Sequence, residues 1–422
     1  MLDRRWVVEH ADEVKRNNTH RGVTTDVDRV VALEEERRAA QQRLDELNRQ
    51  ANEVAKSIGK AKDLAEREVK KEEGRQLRAE ADMAQRNMDA IQAEQDRLLR
   101  EIPNRTHPAS PIGMEPTVIG HGRTPIREFD FQPLDHVDLA AKHDLIDFES
   151  GSKTTGHGFY FLKNEAVLLE LALQRYAVGV LLDEGFTLTT TPDLARNEIL
   201  QGIGFIPRGP ETQIYSVDNT DLSLVATAEI TLGGMFSGQV LDAGQLPLRI
   251  CGISHCFRTE AGAHGRESRG IYRVHQFTKV EMFGFTRPED SDAMLEDLRQ
   301  IECRIFDGLE IPYQVIDTPS GDLGGPAYRK YDLEAWMPGR GKYGEVTSTS
   351  NCTDYQSRRL DIRFRTPGEK GTQLVHTLNG TAVAISRALI AVLENHQQAD
   401  GSIRVPEVLR AWVGKDTIGG AE

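Results

Sequence analysis

Cys256-Phe257-Arg258-Thr259-Glu260, a Gly- and Arg-rich loop, and Arg273-Val274-His275-Gln276-Phe277-Thr278-Lys279-Val280-Glu281 carry the reading of this chain. An arginine, two glutamates and an aromatic sit there on two β-branched runs joined by a loop. Arg258 can neutralise a phosphate, its guanidinium fork matching two phosphate oxygens. Glu260 can accept a hydrogen bond from an exocyclic amine, and Phe277 offers a flat face to a purine. Glu281, at the far end of the second run, is placed to hold an ammonium group. Alone, the block decides little. An Arg-x-Glu at a strand end is usually a surface ion pair worth about 0–1 kcal/mol, and a Phe in an alternating segment is usually core. Its weight comes from agreement with distant parts of the chain.

The first of these is the N-terminal quarter. From Met1 to Ile102 there is no proline, and glycine occurs only at Gly22, Gly59 and Gly74. Glu, Arg, Lys, Gln and Ala crowd the segment, and all are good helix formers. Val30, Leu33, Arg37, Ala40, Leu44, Leu47, Ala51, Val54 and Ile58 step by three and four, a heptad seam interrupted by the charge of Arg37. A second seam runs through Leu77, Ala81, Ala84, Met88, Ile91, Gln95, Leu98 and Ile102. Gly59 breaks the pattern between them, so we expect two helices paired antiparallel within the chain, each reaching on the order of 50 Å. A dimerisation coiled coil is the commoner use of heptads, but the short link at Gly59 favours internal pairing. Arg49, Lys56, Lys60, Lys62, Arg67, Lys70, Lys71, Arg75 and Arg78 gather positive charge near the turn. Such charges are ordinarily a solvated face; on a protruding rod they can grip a phosphate backbone by shape.

Pro103 and Pro108 end this region, and composition changes after about Gly122. The expected division is a helical arm over residues 1–105, a Pro/Gly-rich linker over 106–122 and a mixed helix-and-strand domain over 123–422. In the last of these, helices are expected over 164–182 (with an apolar stripe of Leu168, Leu171, Ala172, Arg175, Tyr176 and Val178), 291–309 and 380–395. Thr187 to Thr191 reads as a strand ended by Pro192.

Composition narrows the class. The chain has 422 residues, 38% hydrophobic and 28% charged, enough for two or more soluble domains. The opening residues have no apolar signal-peptide core, and no apolar run approaches a membrane span. Four cysteines suit a reducing compartment, so cytoplasm is expected. A net charge of −14 argues against coating nucleic acid by bulk electrostatics, though not against a local basic face. Gly339-x-Gly341-x-x-Gly344 matches a dinucleotide fingerprint literally but precedes a β-branched run instead of a helix. Cys251, Cys256, His255 and His264 lack the spacing of a zinc site and read as core.

Five segments of the last domain, and the arm, resemble the seryl-tRNA synthetase family of class II aminoacyl-tRNA synthetases, bacterial type. The block from Arg258 to Glu281 resembles motif 2, and residues 164–192 resemble motif 1, which builds the dimer interface in that family. Thr227-Ala228-Glu229 resembles the serine-binding triplet, and Glu345-Val346-Thr347-Ser348 the acidic strand that holds ATP and magnesium. Asn379-Gly380-Thr381, leading to Arg387, resembles motif 3. Met1-Leu2-Asp3 through Lys15 and Arg21-Gly22 match the family's opening.

The resemblance implies an α+β fold, with an antiparallel two-helix coiled coil followed by an antiparallel sheet flanked by helices. It implies a homodimer that activates L-serine with ATP and Mg2+ and transfers it to serine tRNA without a covalent enzyme intermediate. Selenocysteine tRNA stays open as a second substrate. By resemblance Arg258 holds the α-phosphate, Arg387 the γ-phosphate, and Glu345 with Ser348 the magnesium. Phe277 stacks on adenine beside Glu260 and Val274, with Thr259, Val346 and Thr347 also contacting ATP. Thr227, Ala228, Glu229, Glu281 and Thr381 bind serine, its ammonium and hydroxyl not divided among them.

Departures from the pattern are Gly158 where an arginine usually precedes Phe159, Arg410-Ala411-Trp412 near the C-terminus, and a reordered Arg329-Lys330-Tyr331. Rival expectations are a synthetase for another small amino acid, a zinc-dependent ligase that loads carrier proteins, and a catalytically dead paralogue. The arm disfavours the first two, and the presence of both Arg258 and Arg387 disfavours the third.

Overall fold

A computed structural model describes residues 1–205, 213–260 and 269–419. The loop residues 261–268, His264 among them, lie outside the described residues. The chain forms two compact units, Met1–Arg105 and Thr106–Glu422.

The first unit is dominated by helices α1 (Val27–Ile58) and α2 (Leu64–Glu101). Asp26 caps α1 by accepting a hydrogen bond from the Arg29 amide, and Asp63 caps α2 through the Glu66 amide. The heptad seams meet as expected: Leu44, Leu47 and Ala81 are buried against Leu77, Ala84 and Met88. Nearer the root the seam turns ionic. Glu34, 3% exposed, takes a bidentate pair from Arg37 at 2.9 and 3.0 Å and further contacts from Arg38 and Arg4. Buried Gln95 of α2 donates to the Val30 carbonyl at 3.2 Å. The Arg37 interruption is thus half of a buried pair.

Hydrogen bonding from Arg37 holds the Glu34 carboxyl down at about 2. A carboxylate depressed in the folded state stabilises above its unfolded pKa, and that contribution is lost as pH falls from about 4.5 toward 2. Glu34→Gln is therefore expected to destabilise the arm by about 1–3 kcal/mol at neutral pH. Thermal melts of the full chain followed by helical circular dichroism should show this, with a shallower acid slope in the variant.

In the second unit an eight-stranded sheet comprises β1 (Thr117–His121), β2 (Thr187–Thr190), β3 (Leu248–Phe257), β4 (Gln276–Thr286), β5 (Tyr313–Asp317), β6 (Arg329–Met337), β7 (Lys342–Thr353) and β8 (His376–Ala384). Their order is β1-β5-β6-β7-β8-β4-β3-β2, antiparallel throughout except for the parallel β2–β3 edge pair. Helices α3 (Glu165–Asp183), α4 (Glu229–Gly234), α5 (Ser291–Gly308) and α6 (Ile385–Asn395) follow in chain order. Residues of α3, α5 and α6 share one apolar core with β4, β6 and β8.

Three expectations need correcting. The stretch read as linker over 106–122 contains β1, whose Thr117 pairs with Asp317 at the sheet edge. The helix expected over 380–395 starts only at Ile385; its first residues belong to β8, where Thr381 pairs with Glu281 of β4. A buried apolar run does not reveal its period, so strand and helix read alike there. On α3 the core face is Leu169, Ala172, Leu173, Ala177, Val180 and Leu181, whereas Leu168 and Leu171 of the expected stripe are exposed.

The Gly339-Gly341-Gly344 pattern lies at the β6–β7 reversal: Gly341 takes φ +60 and its amide donates to the Met337 carbonyl at 2.9 Å. A hairpin turn needs glycine there for a reason unrelated to nucleotides.

Candidate active site

Alternation along β4 sends Phe277, Lys279 and Glu281 to one face, and register places that face beside β8 and β3. Glu281 lies opposite Thr381 on one side and Gly252 on the other. The end of β3 delivers Arg258, β7 delivers Glu345 to Ser348, and α6 begins two residues before Arg387. These side chains line one pocket with about 720 Å³ of empty space, part of it open to solvent.

Thr227, Glu229, Arg258, Glu260, Val274, Phe277, Glu281, Glu345, Val346, Thr347, Ser348, Thr381 and Arg387 all line it. Two expected residues do not. Ala228 is fully buried just before α4, and Thr259 lies in the turn after β3, its amide donating to the Gln213 carbonyl at 3.3 Å. Alanine has no polar side-chain group to offer a ligand, and residue 228 packs beneath the pocket's neighbours Thr227 and Glu229.

One cluster is built around Lys279, a residue the sequence reading left without a role. Its ammonium, 5% exposed, donates to the Thr227 hydroxyl at 2.8 Å and pairs with Glu281 at 2.5 Å. The Thr381 hydroxyl donates to Glu281 at 3.4 Å. Glu229 accepts from Gln356 at 2.6 Å and Asn379 at 2.9 Å. Burial, aided by the nearby Glu281 charge, pushes Glu229 up to about 7. Burial also raises Glu281, against the pull of Lys279. The spacing Phe277-x-Lys279-x-Glu281 could have revealed Lys279; Gln356 arrives from an unrelated helix and left no local signal.

The second cluster surrounds Arg387. Its guanidinium donates to the Glu345 carbonyl at 2.9 Å, approaches the Glu345 carboxylate at 3.3 Å and lies 4.7 Å from the Tyr272 ring centre. Burial disfavours the charged Glu345 carboxylate, but Arg387, Lys330, Arg258 and Arg273 outweigh it and leave its pKa lowered. Its side chain is 43% exposed, so it faces the open pocket while ringed by cations. Arg258 bridges the clusters, 5.3 Å above the Phe277 ring. Glu260 takes φ +48, a left-handed turn rare for its type, and accepts from Arg273 at 3.3 Å.

For magnesium, the donor set is one carboxylate, Glu345, and one hydroxyl, Ser348. Hard oxygens in that small number fit an ion that draws most of its shell from water and phosphate. Among the described residues no group of three or more His, Cys, Asp or Glu is arranged to hold a metal. Cys251 and Cys256 are buried, and His255 pairs instead with Asp193 at 2.8 Å.

The departure at Gly158 has a steric cause. With φ +82, its Cα faces the His275 ring so closely that an added Cβ would stand 2.2 Å from Cδ2. Phe159 stacks on the same ring at 5.3 Å, and His275 Nδ1 lies 2.9 Å from the Arg258 carbonyl. Gly158→Ala should therefore destabilise the domain by about 2–4 kcal/mol and slow catalysis by shifting Arg258. A melting curve and an ATP–pyrophosphate exchange rate on the same sample check both.

An antiparallel sheet carrying two converging arginines and an acidic amino-acid pocket is the architecture of a class II aminoacyl-tRNA synthetase. Residues 214–396 match the family model described as tRNA synthetase class II core domain (G, H, P, S and T), and residues 1–106 match that described as Seryl-tRNA synthetase N-terminal domain. The chain belongs to the seryl-tRNA synthetase family, whose members are aminoacyl-tRNA ligases. It is 60% identical to the serine–tRNA ligase of Rhodopirellula baltica, covering 99% of each chain, and 54% identical to that of Rubrobacter xylanophilus, covering 100% of each. The crystal structure of seryl-tRNA synthetase from Pyrococcus horikoshii complexed with ATP superimposes with a TM-score of 0.91 at 36% identity, covering 100% of both chains.

Proposed function

We propose that this chain activates L-serine with ATP to seryl-adenylate and transfers the seryl group to the 3′ end of serine tRNA. One observation carries the reading: Arg258 and Arg387 line the same pocket as the Thr227, Glu229, Lys279, Glu281 and Thr381 cluster. Activation joins two anions, the serine carboxylate and the ATP α-phosphate, so the protein must hold them together and offset their repulsion. Arg258, between the clusters, faces the α-phosphate; Arg387, anchored on Glu345 and Tyr272, faces the γ-phosphate. Phe277 and Val274 give the adenine an apolar seat beside Glu260. Magnesium, held by Glu345 and Ser348, would offset phosphate charge. The serine carboxylate is itself the nucleophile, so no side chain is required to attack.

Serine's hydroxyl and ammonium fall to Thr227, Glu229, Glu281 and Thr381. A site built to pair that hydroxyl rejects alanine by leaving its own polar groups unsatisfied. Pyrophosphate exchange across serine, threonine, alanine and glycine tests this: serine should lead, with alanine below about 1% of its rate. Greater exchange with threonine or alanine would overturn the assignment.

A homodimer is supported by the outer face of α3, where Val167, Leu168, Leu171 and Leu182 are 37–57% exposed. Leu188 of β2 is likewise an exposed apolar residue. The arm is the tRNA-binding element of this reading. Of its nine basic residues near the turn, Arg49, Lys70, Lys71 and Arg75 pair with glutamates of their own helices. Lys56, Lys60, Lys62, Arg67 and Arg78 are exposed and, among the described residues, carry no ion pair. Those five are the groups available to RNA phosphates, with selenocysteine tRNA open as a second RNA. A cytoplasmic site of action is supported by four free cysteines. Among the described residues no helix is long and apolar enough to cross a membrane.

A further inference from the structure

The amino-acid cluster has two carboxylates, Glu281 buried and Glu229 partly buried, and the cation bonded among them is Lys279. Its ammonium is already committed to Glu281 and the Thr227 hydroxyl. Among the described residues Glu229 receives neutral donors, Gln356 and Asn379, on Oε1. The charged and titratable groups facing it are Lys279 and Glu281 from β4 and Arg258 from the end of β3. The buried thiol of Cys352 adjoins Asn379. Two carboxylates packed together cannot both ionise cheaply without a second positive charge at the same place. A substrate ammonium is such a charge.

We infer that entry of the amino-acid ammonium drives a proton off Glu229 into solvent, so that Lys279 and the ammonium together balance Glu229 and Glu281. The balance is simple. The substrate keeps its three ammonium protons, Glu229 loses its carboxyl proton to the buffer, and no covalent bond to carbon changes. Lys279 is then a positioning residue: its ammonium is held against Glu281, which leaves Glu229 as the group that answers to the ligand. The inference rests on the serine-binding reading of this pocket.

The test is calorimetric titration of the full-length protein with serine, in buffers of differing ionisation enthalpy. At pH 6.5 about three-quarters of a proton should leave per serine bound, falling to about a tenth at pH 8, as a group titrating near 7 requires. The association constant should rise about tenfold between pH 6 and pH 8. Binding without proton release at pH 6.5 overturns the inference and leaves the function standing; serine that does not bind overturns both. Release that persists in Glu229→Gln excludes Glu229 as the source. Should that variant not bind serine, infrared difference spectra of the unaltered protein decide: loss of a protonated-carboxyl band on adding serine supports the inference, and an unchanged carboxyl region rejects it.

Discussion

Arg387→Ala is expected to slow serine-dependent pyrophosphate exchange by about a hundredfold to a thousandfold, with serine binding retained. The Arg387 side chain is 18% exposed, its guanidinium fixed by the Glu345 carbonyl, the Glu345 carboxylate and the Tyr272 ring. A charge preorganised at a partly enclosed site stabilises phosphate far better than one in water, and removing a single such group typically costs about two to three orders of magnitude. Removal also leaves the Glu345 carboxylate without its nearest cation, facing incoming phosphates. Arg387→Lys should recover little, because an ammonium cannot bridge the carbonyl, the carboxylate and a phosphate in one plane. Calorimetry with serine alone separates the cases: the amino-acid cluster lies around β4 and α4 and should keep its affinity. A variant that loses serine binding as well would show that Arg387 serves the whole pocket.

Deleting residues 30–100 should leave pyrophosphate exchange within about twofold and lower tRNA charging by about a hundredfold or more. The cut is geometrically mild. Arg29 reaches across to Glu94 with hydrogen bonds of 2.9 and 3.0 Å, and the Thr25 hydroxyl donates to the Glu101 carbonyl at 3.4 Å. Chain ends that close can be joined by a few glycines and serines. None of the pocket residues lies in the removed segment. Exchange and charging measured on one preparation give the answer, and loss of both activities would contradict a division of labour between the units. A milder version replaces Lys56, Lys60, Lys62, Arg67 and Arg78 with glutamine; charging should fall and become less sensitive to salt.

Much of this was legible because the relevant signals are periodic or chemical. Heptads exposed the hairpin, Gly59 its turn, and the charged residues around Phe277 one pocket. What escaped depends on long-range packing. Gln356 meets Glu229 across more than a hundred residues, and nothing local marks it; Asn379 was marked by its motif, but not its contact with Glu229. The boundary at Ile385 was invisible because β8 and α6 are both buried, which erases the polar face that would betray a period. Gly158 reads in sequence as a missing arginine; what the sequence does not carry is the His275 ring beside it, which any Cβ there would have to displace.

The buried Glu34 group does more than tolerate charge in a seam of leucines. Sliding α1 by one turn against α2 would carry Arg37 and Arg38 along with that carboxylate but part Gln95 from the Val30 carbonyl and from Glu34, so other alignments lose the polar contact across the pair. The 32 residues of α1 span about 48 Å, and one polar contact near its root sets the alignment along that whole length.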